Sequence, residues 1–123
     1  PKFGVSNAGT VTNVGAITHT AIIAPAQLTG NTDDWNPTGL STARIIRAST
    51  DASRNLTGIV AQATGRLLTV VNVGAQDLVL VHAATSVAAN QFSLPGAGNL
   101  TLTQGSAVQL YYDGTTVKWR LAA

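Results

Sequence analysis

Few side chains in this sequence are equipped for chemistry. Of its 123 residues none is Cys, Met or Glu, two are His and five are Asp. Without Cys there is no thiolate nucleophile, no thiolate metal site and no disulfide. No Gly-x-Ser-x-Gly elbow and no phosphate-binding glycine loop occurs. The one adjacent carboxylate pair is Asp33-Asp34. With loop carbonyls, such a pair supplies the hard oxygen ligands that Ca²⁺ takes. Adjacent Asp residues ahead of Asn36-Pro37 are also ordinary turn formers, and that reading is the stronger one. His82 closes an apolar run and reads as structural, and His19 is read the same way. The expectation is therefore a protein that is not an enzyme, with no catalytic residue, no cofactor and no metal.

Trp35 is the side chain that invites a binding role. It stands in a polar segment, residues 25–41, with two Pro and two Gly. A loop that long inside a small domain is uncommon and often functional. An indole there either pins the loop onto its own core or reaches a neighbour or a sugar. The candidate partner-contact residues are Trp35, Asp33 and Asp34 in this loop, with Ile22 and Ile23 in the apolar stretch before it.

The elements that must position these residues are strands. Thr, Val, Gly and Asn dominate, which is strand and turn chemistry. Strands are expected at residues 43–48, 56–61, 66–73, 78–82, 91–94, 100–102, 107–112 and 117–121, spaced as in a sandwich or barrel. A hairpin is expected across residues 74–77. A second is expected across a two-residue Asp113-Gly114 turn, with Gly114 at positive φ. Alternation puts Val117, Trp119 and Leu121 on one face and Lys118 and Arg120 on the other. Residues 1–33 read as an extended N-terminal arm and loop, residues 34–123 as the folded domain. No internal repeat of solenoid period is visible.

Charge narrows the function further. Only 10% of residues are charged while 45% are hydrophobic, against roughly 25% charged in ordinary soluble domains. A surface so poor in charge associates readily, which predicts burial against other copies. The basic residues are scattered, so no nucleic-acid footprint is expected. No stretch has the length and apolarity of a transmembrane helix and no signal-peptide pattern is seen. The opening Pro1-Lys2-Phe3 reads as a short gene product that has lost its initiator Met.

From Asp34 to the C-terminus the sequence resembles a domain recurrent in tailed-phage structural proteins. The resemblance is carried by Asp-Trp-Asn-Pro at residues 34–37, Ser-Thr-Asp-Ala at 49–52 and Gly-Arg-Leu-Leu-Thr-Val-Val-Asn-Val-Gly at 65–74. It continues through Ala-Ala-Asn-Gln-Phe at 88–92 and Tyr-Asp-Gly-Thr at 112–115 before Trp119-Arg120. It implies an all-β fold, expected as an antiparallel, jelly-roll-like β-sandwich that is typically trimeric, and it carries over no catalytic residue. Such domains serve as short virion surface proteins and in tail fibres. The first expectation is a capsid decoration (cement) protein that binds the assembled shell as a homotrimer, with the major capsid protein or other virion proteins as partners. It would act at the virion surface, with no nucleic acid and no membrane. The alternative is a tail-fibre or spike receptor-binding head for host glycans, with Trp35, Tyr111 and Tyr112 as stacking groups.

Overall fold

The computed structural model describes residues 19–123. The fold is all-β, as the composition predicts. Among the described residues it has nine strands: β1 (Ala21–Ile23), β2 (Ala43–Ala48), β3 (Arg54–Leu56), β4 (Leu67–Asn72), β5 (Leu78–Leu80), β6 (Phe92–Ser93), β7 (Leu100–Leu102), β8 (Ala107–Asp113) and β9 (Lys118–Leu121). Strand β8 shows why the sequence makes strands. Val108, Leu110 and Tyr112 point inward and are buried, while their neighbours alternate outward.

Two mixed sheets enclose the core. One has six strands in the order β1-β2-β4-β8-β9-β6, the other three in the order β3-β5-β7. The pairs β1–β2, β2–β4, β3–β5 and β6–β9 are parallel, so the expected wholly antiparallel jelly-roll is corrected. The parallel pairs arise because the chain coils. Ile46 lies beside Val70, and Leu56 beside Leu80 one sheet away. Bridges Leu28–Thr50, Thr32–Leu56 and Trp35–Ile59, all parallel, stack an earlier coil on the same frame. Three successive coils thus lie in parallel register, as in a short β-solenoid, with like positions about two dozen residues apart. Strands β7 and β8 then run back antiparallel to β5 and β4 and cover the last coil. The sequence shows no repeat because only the inward positions recur, and they recur as any aliphatic residue.

Two local expectations are also corrected. Residues 74–77 do not close a hairpin: β4 lies in one sheet and β5 in the other, so the chain turns a corner there. The buried Asn72 makes that corner. Its Nδ2 donates to the carbonyls of Gln76 and Leu102, both at 2.7 Å, and its Oδ1 accepts the Gly74 N–H. The β8–β9 hairpin does form, pairing Tyr112 with Trp119 and Asp113 with Lys118. Its loop is longer than two residues, and the positive φ of 58° falls on Val117, which lies in the turn and not on the Trp119 face. Gly114 serves close approach instead: a Cβ there would sit 2.7 Å from the Thr64 Cβ.

The core joins the sheets through Ile46, Leu68, Val70 and Leu110 on one side and Leu56, Leu78, Leu80 and Leu102 on the other. Trp35, Ile59, Phe92 and Trp119 belong to the same buried cluster. Residues 21–33, assigned from sequence to the arm and loop, form the first coil; Ile23 and Leu28 pack against this core. The remainder of the expected arm, residues 1–18, lies outside the described residues.

Candidate functional site

The structure separates the five sequence candidates. Trp35 is buried at 8% exposure, with its backbone paired to Gly58 and Val60. Its indole belongs to its own core, and the residue also lines the hollow between Ala24 and Thr38. Asp33 and Asp34 enter a hydrogen-bond cluster with residues from two later loops. Asp33 Oδ1 accepts the hydroxyls of Thr57 at 2.5 Å and Thr85 at 2.6 Å. Those donors, Thr57 first, hold its carboxyl below the ordinary value of 3.8. Asp34 Oδ1 accepts the Val87 N–H and the Asn90 side-chain amide, each at 2.9 Å. Thr57 and Ser86 share a 2.7 Å hydroxyl contact inside the cluster. The pair therefore staples the first coil to the 85–90 loop through bonds to residues 24 to 56 positions away, where the sequence suggests local turn capping. Among the described residues no group of three possible metal ligands gathers.

Ile22 and Ile23 part ways on β1. Ile23 faces the core and Ile22 is 62% exposed. Among the described residues, strand β1 is an end strand of the six-stranded sheet. The chain from Phe3 to Thr32 carries no Asp, Glu, Lys or Arg. An edge strand normally carries charge to prevent pairing with other chains, and this one has none. Beside it, the first coil borders a hollow of about 650 Å³ running from Ala24 to Thr38.

A second recess was not foreseen from sequence. It has a volume of about 590 Å³ and is lined by His19, Arg44, Gln62, Thr64, Arg66 and Leu67 among others, none of them acidic. Its residues come from the chain just ahead of β1, from β2 and from the turn entering β4, so successive coils stack them. Arg66 is only 5% exposed. Its guanidinium donates to the carbonyls of Leu40 at 2.8 Å, Ser41 at 3.4 Å and Ala43, and to Gln62 Oε1 at 2.8 Å. Its Nε is buried without a partner. Burial lowers the Arg66 pKa, yet an arginine stays cationic at neutral pH. An Arg opening an apolar strand looks like a surface residue in sequence, so nothing there marks it as buried.

The remaining candidates take structural roles. His82 Nδ1 accepts the Leu94 N–H at 2.9 Å, as its place at a strand end implied. Tyr112 is buried and Tyr111 half-buried. No described helix is long and apolar enough to cross a membrane. Comparison with protein-family models, with curated proteins and with solved structures finds no match for this chain.

Proposed function

We propose that this chain is a non-catalytic structural protein of a tailed-phage virion, a decoration (cement) protein that binds the assembled capsid shell as a homotrimer and stabilises it. The observation that carries this reading is the uncharged edge of the first coil. Strand β1 presents Ile22 to solvent at the end of a sheet, inside a thirty-residue stretch without one ionised carboxylate, ammonium or guanidinium. Such an edge is a template for pairing with another chain. A protein that binds only the assembled state stabilises that state by linkage. The hydrogen-bonded coils supply the stiffness a clamp needs. The sequence resemblance to tailed-phage structural domains supplies the setting.

The glycan-binding alternative draws less support. It relied on Trp35, Tyr111 and Tyr112 as stacking platforms, and two of these are buried. The test is to add purified protein to shells lacking it and image the particles. Density at three-fold or quasi-three-fold positions, with a raised temperature of shell rupture, is the expected result. Density confined to the tail, or no binding to shells, overturns the reading.

A further inference from the structure

Charge pairing inside the described chain leaves one carboxylate without a side-chain partner and several cations without an ionic one. Asp33 and Asp34 are held by hydroxyl and amide donors, Asp51 pairs with Arg54, and Asp113 pairs with Arg120. Among the described residues, Asp77 is the carboxylate left without a side-chain partner. On the cationic side, Arg44, Arg47, Arg66 and Lys118 have no carboxylate partner among the described residues; two of them meet in one recess, where Arg66 is solvated only by neutral acceptors and Arg44 has no acid beside it.

Asp77 is well placed to be presented outward. It ends the corner that Asn72 holds, and its backbone carbonyl accepts the Arg54 N–H at 3.1 Å and the Thr50 hydroxyl at 3.5 Å. The backbone is thus fixed from both sides while the side chain stays half-buried at the surface. Such preorganisation lowers the entropic cost of association. Each place also carries an apolar neighbour: Val73 at the corner is 37% exposed and Leu67 at the recess is 41% exposed.

The two places cannot meet within one chain. Arg66 precedes β4 and Asp77 follows the corner after it, and a six-residue strand spans about 20 Å. A cyclic trimer requires a heterologous contact, in which one patch of each copy meets a different patch of the next. The geometry points to that contact: the Asp77 carboxylate of one copy enters the His19–Arg44–Arg66 recess of its neighbour. An incoming carboxylate supplies the counter-charge that the desolvated Arg66 lacks, and the Arg44 guanidinium offers a bidentate fork to receive it. This contact rests on the homo-oligomer reading above and names the surface through which it closes.

The test is sedimentation velocity of the full chain at micromolar concentration, for the unmodified protein, Arg44→Glu, Asp77→Arg and the double variant. Both sites lie at the surface, and circular dichroism verifies that each variant is folded. Each single variant is expected to raise the dissociation constant at least about tenfold, as truncating paired interface charges does. The double variant is expected to recover part of that loss. If the unmodified chain is an oligomer and the single variants match it, or the double variant is no better than the singles, this contact is overturned and the oligomer stands. If the unmodified chain sediments as a monomer, the oligomer reading itself falls, and the contact with it.

Discussion

The indole Nε1–H of Trp119 donates to the backbone carbonyl of Ile59 at 2.8 Å, across 60 residues of sequence. The last hairpin is thereby locked to the second coil. The indole is fully buried, and the Tyr112 ring meets it edge-on at 5.2 Å with an interplanar angle of 81°. T-shaped pairs of this kind add about 0.5–1.5 kcal/mol beyond their burial.

Trp119→Ala therefore removes a buried aromatic, one aromatic pair and the donor for a buried carbonyl. A loss of about 3–5 kcal/mol in unfolding free energy is expected from urea titration. Trp119→Phe is expected to cost less, keeping apolar volume but leaving the Ile59 carbonyl unpaired at about 1–3 kcal/mol. Lys118→Ala removes Nζ hydrogen bonds to the Ala88 carbonyl and Gln91 Oε1. A cost near 1 kcal/mol is expected there, small beside Trp119→Ala. An equal loss at both positions would contradict the assigned faces.

Acid should loosen the fold through its hydrogen-bonded carboxylates. Asp33 and Asp113 both lie below the ordinary value of 3.8, Asp33 through Thr57 and Thr85, Asp113 through Thr116 and Arg120. A folded-state value below the unfolded one contributes stability that is complete above the unfolded value. That contribution is lost as pH falls through the folded value. Thermal midpoints are expected to be level with respect to these groups from about pH 5 to 8 and to decline below about pH 4. In Asp33→Asn the acid decline should be shallower than in the parent protein. An unchanged acid limb would show that the Asp33 cluster adds nothing to the pH dependence.

Arg66 is expected to be a structural necessity within the subunit. Arg66→Ala strips the Leu40, Ser41 and Ala43 carbonyls of their shared donor and empties the space behind β2. A cost of about 3–5 kcal/mol is expected, measured for parent and variant across the same range of protein concentrations so that any contribution from assembly is separated. Arg66→Lys should recover little, because one ammonium cannot reach the same acceptors as a planar fork. A stability loss under about 1 kcal/mol for Arg66→Ala would contradict this role.

Gly58 marks where the second coil passes closest to the 86–90 segment. A Cβ there would lie 2.4 Å from the Asn90 carbonyl oxygen and 2.5 Å from Ser86 Oγ. Gly58→Ala must push backbone apart and disturb the Asp33–Asp34 cluster, so a loss above about 2 kcal/mol is expected. Gly105→Ala is the comparison. Nothing lies within 4 Å of its Cβ, but its φ of 82° suits glycine, so only about 1 kcal/mol is expected. Melting curves of the two variants separate steric crowding from backbone strain, and a milder effect at Gly58 would refute the close approach.

Composition and alternation by themselves determined that the chain is all-β, where most strands lie, and that Trp119 lies on the face opposite Lys118 and Arg120. These are local properties: side-chain shape sets strand preference, and a period of two assigns faces. What lies between strands was not legible in the same way. The corner at residues 73–77 and a tight hairpin look alike as short polar turns, and only the buried Asn72 amide, reaching the Gln76 carbonyl within the corner and the Leu102 carbonyl on β7, decides which one forms. The coiled stacking was hidden because any aliphatic residue fills an inward position, so Ile46 above Val70 leaves no repeated word. Trp35 admitted two readings, since a lone indole in a polar loop is compatible with burial or contact, and the bridge to Ile59 draws it into the core. Arg66 and its recess were invisible for a related reason: burial of a guanidinium depends on backbone carbonyls about twenty-five residues away, and only the tertiary structure brings these within reach.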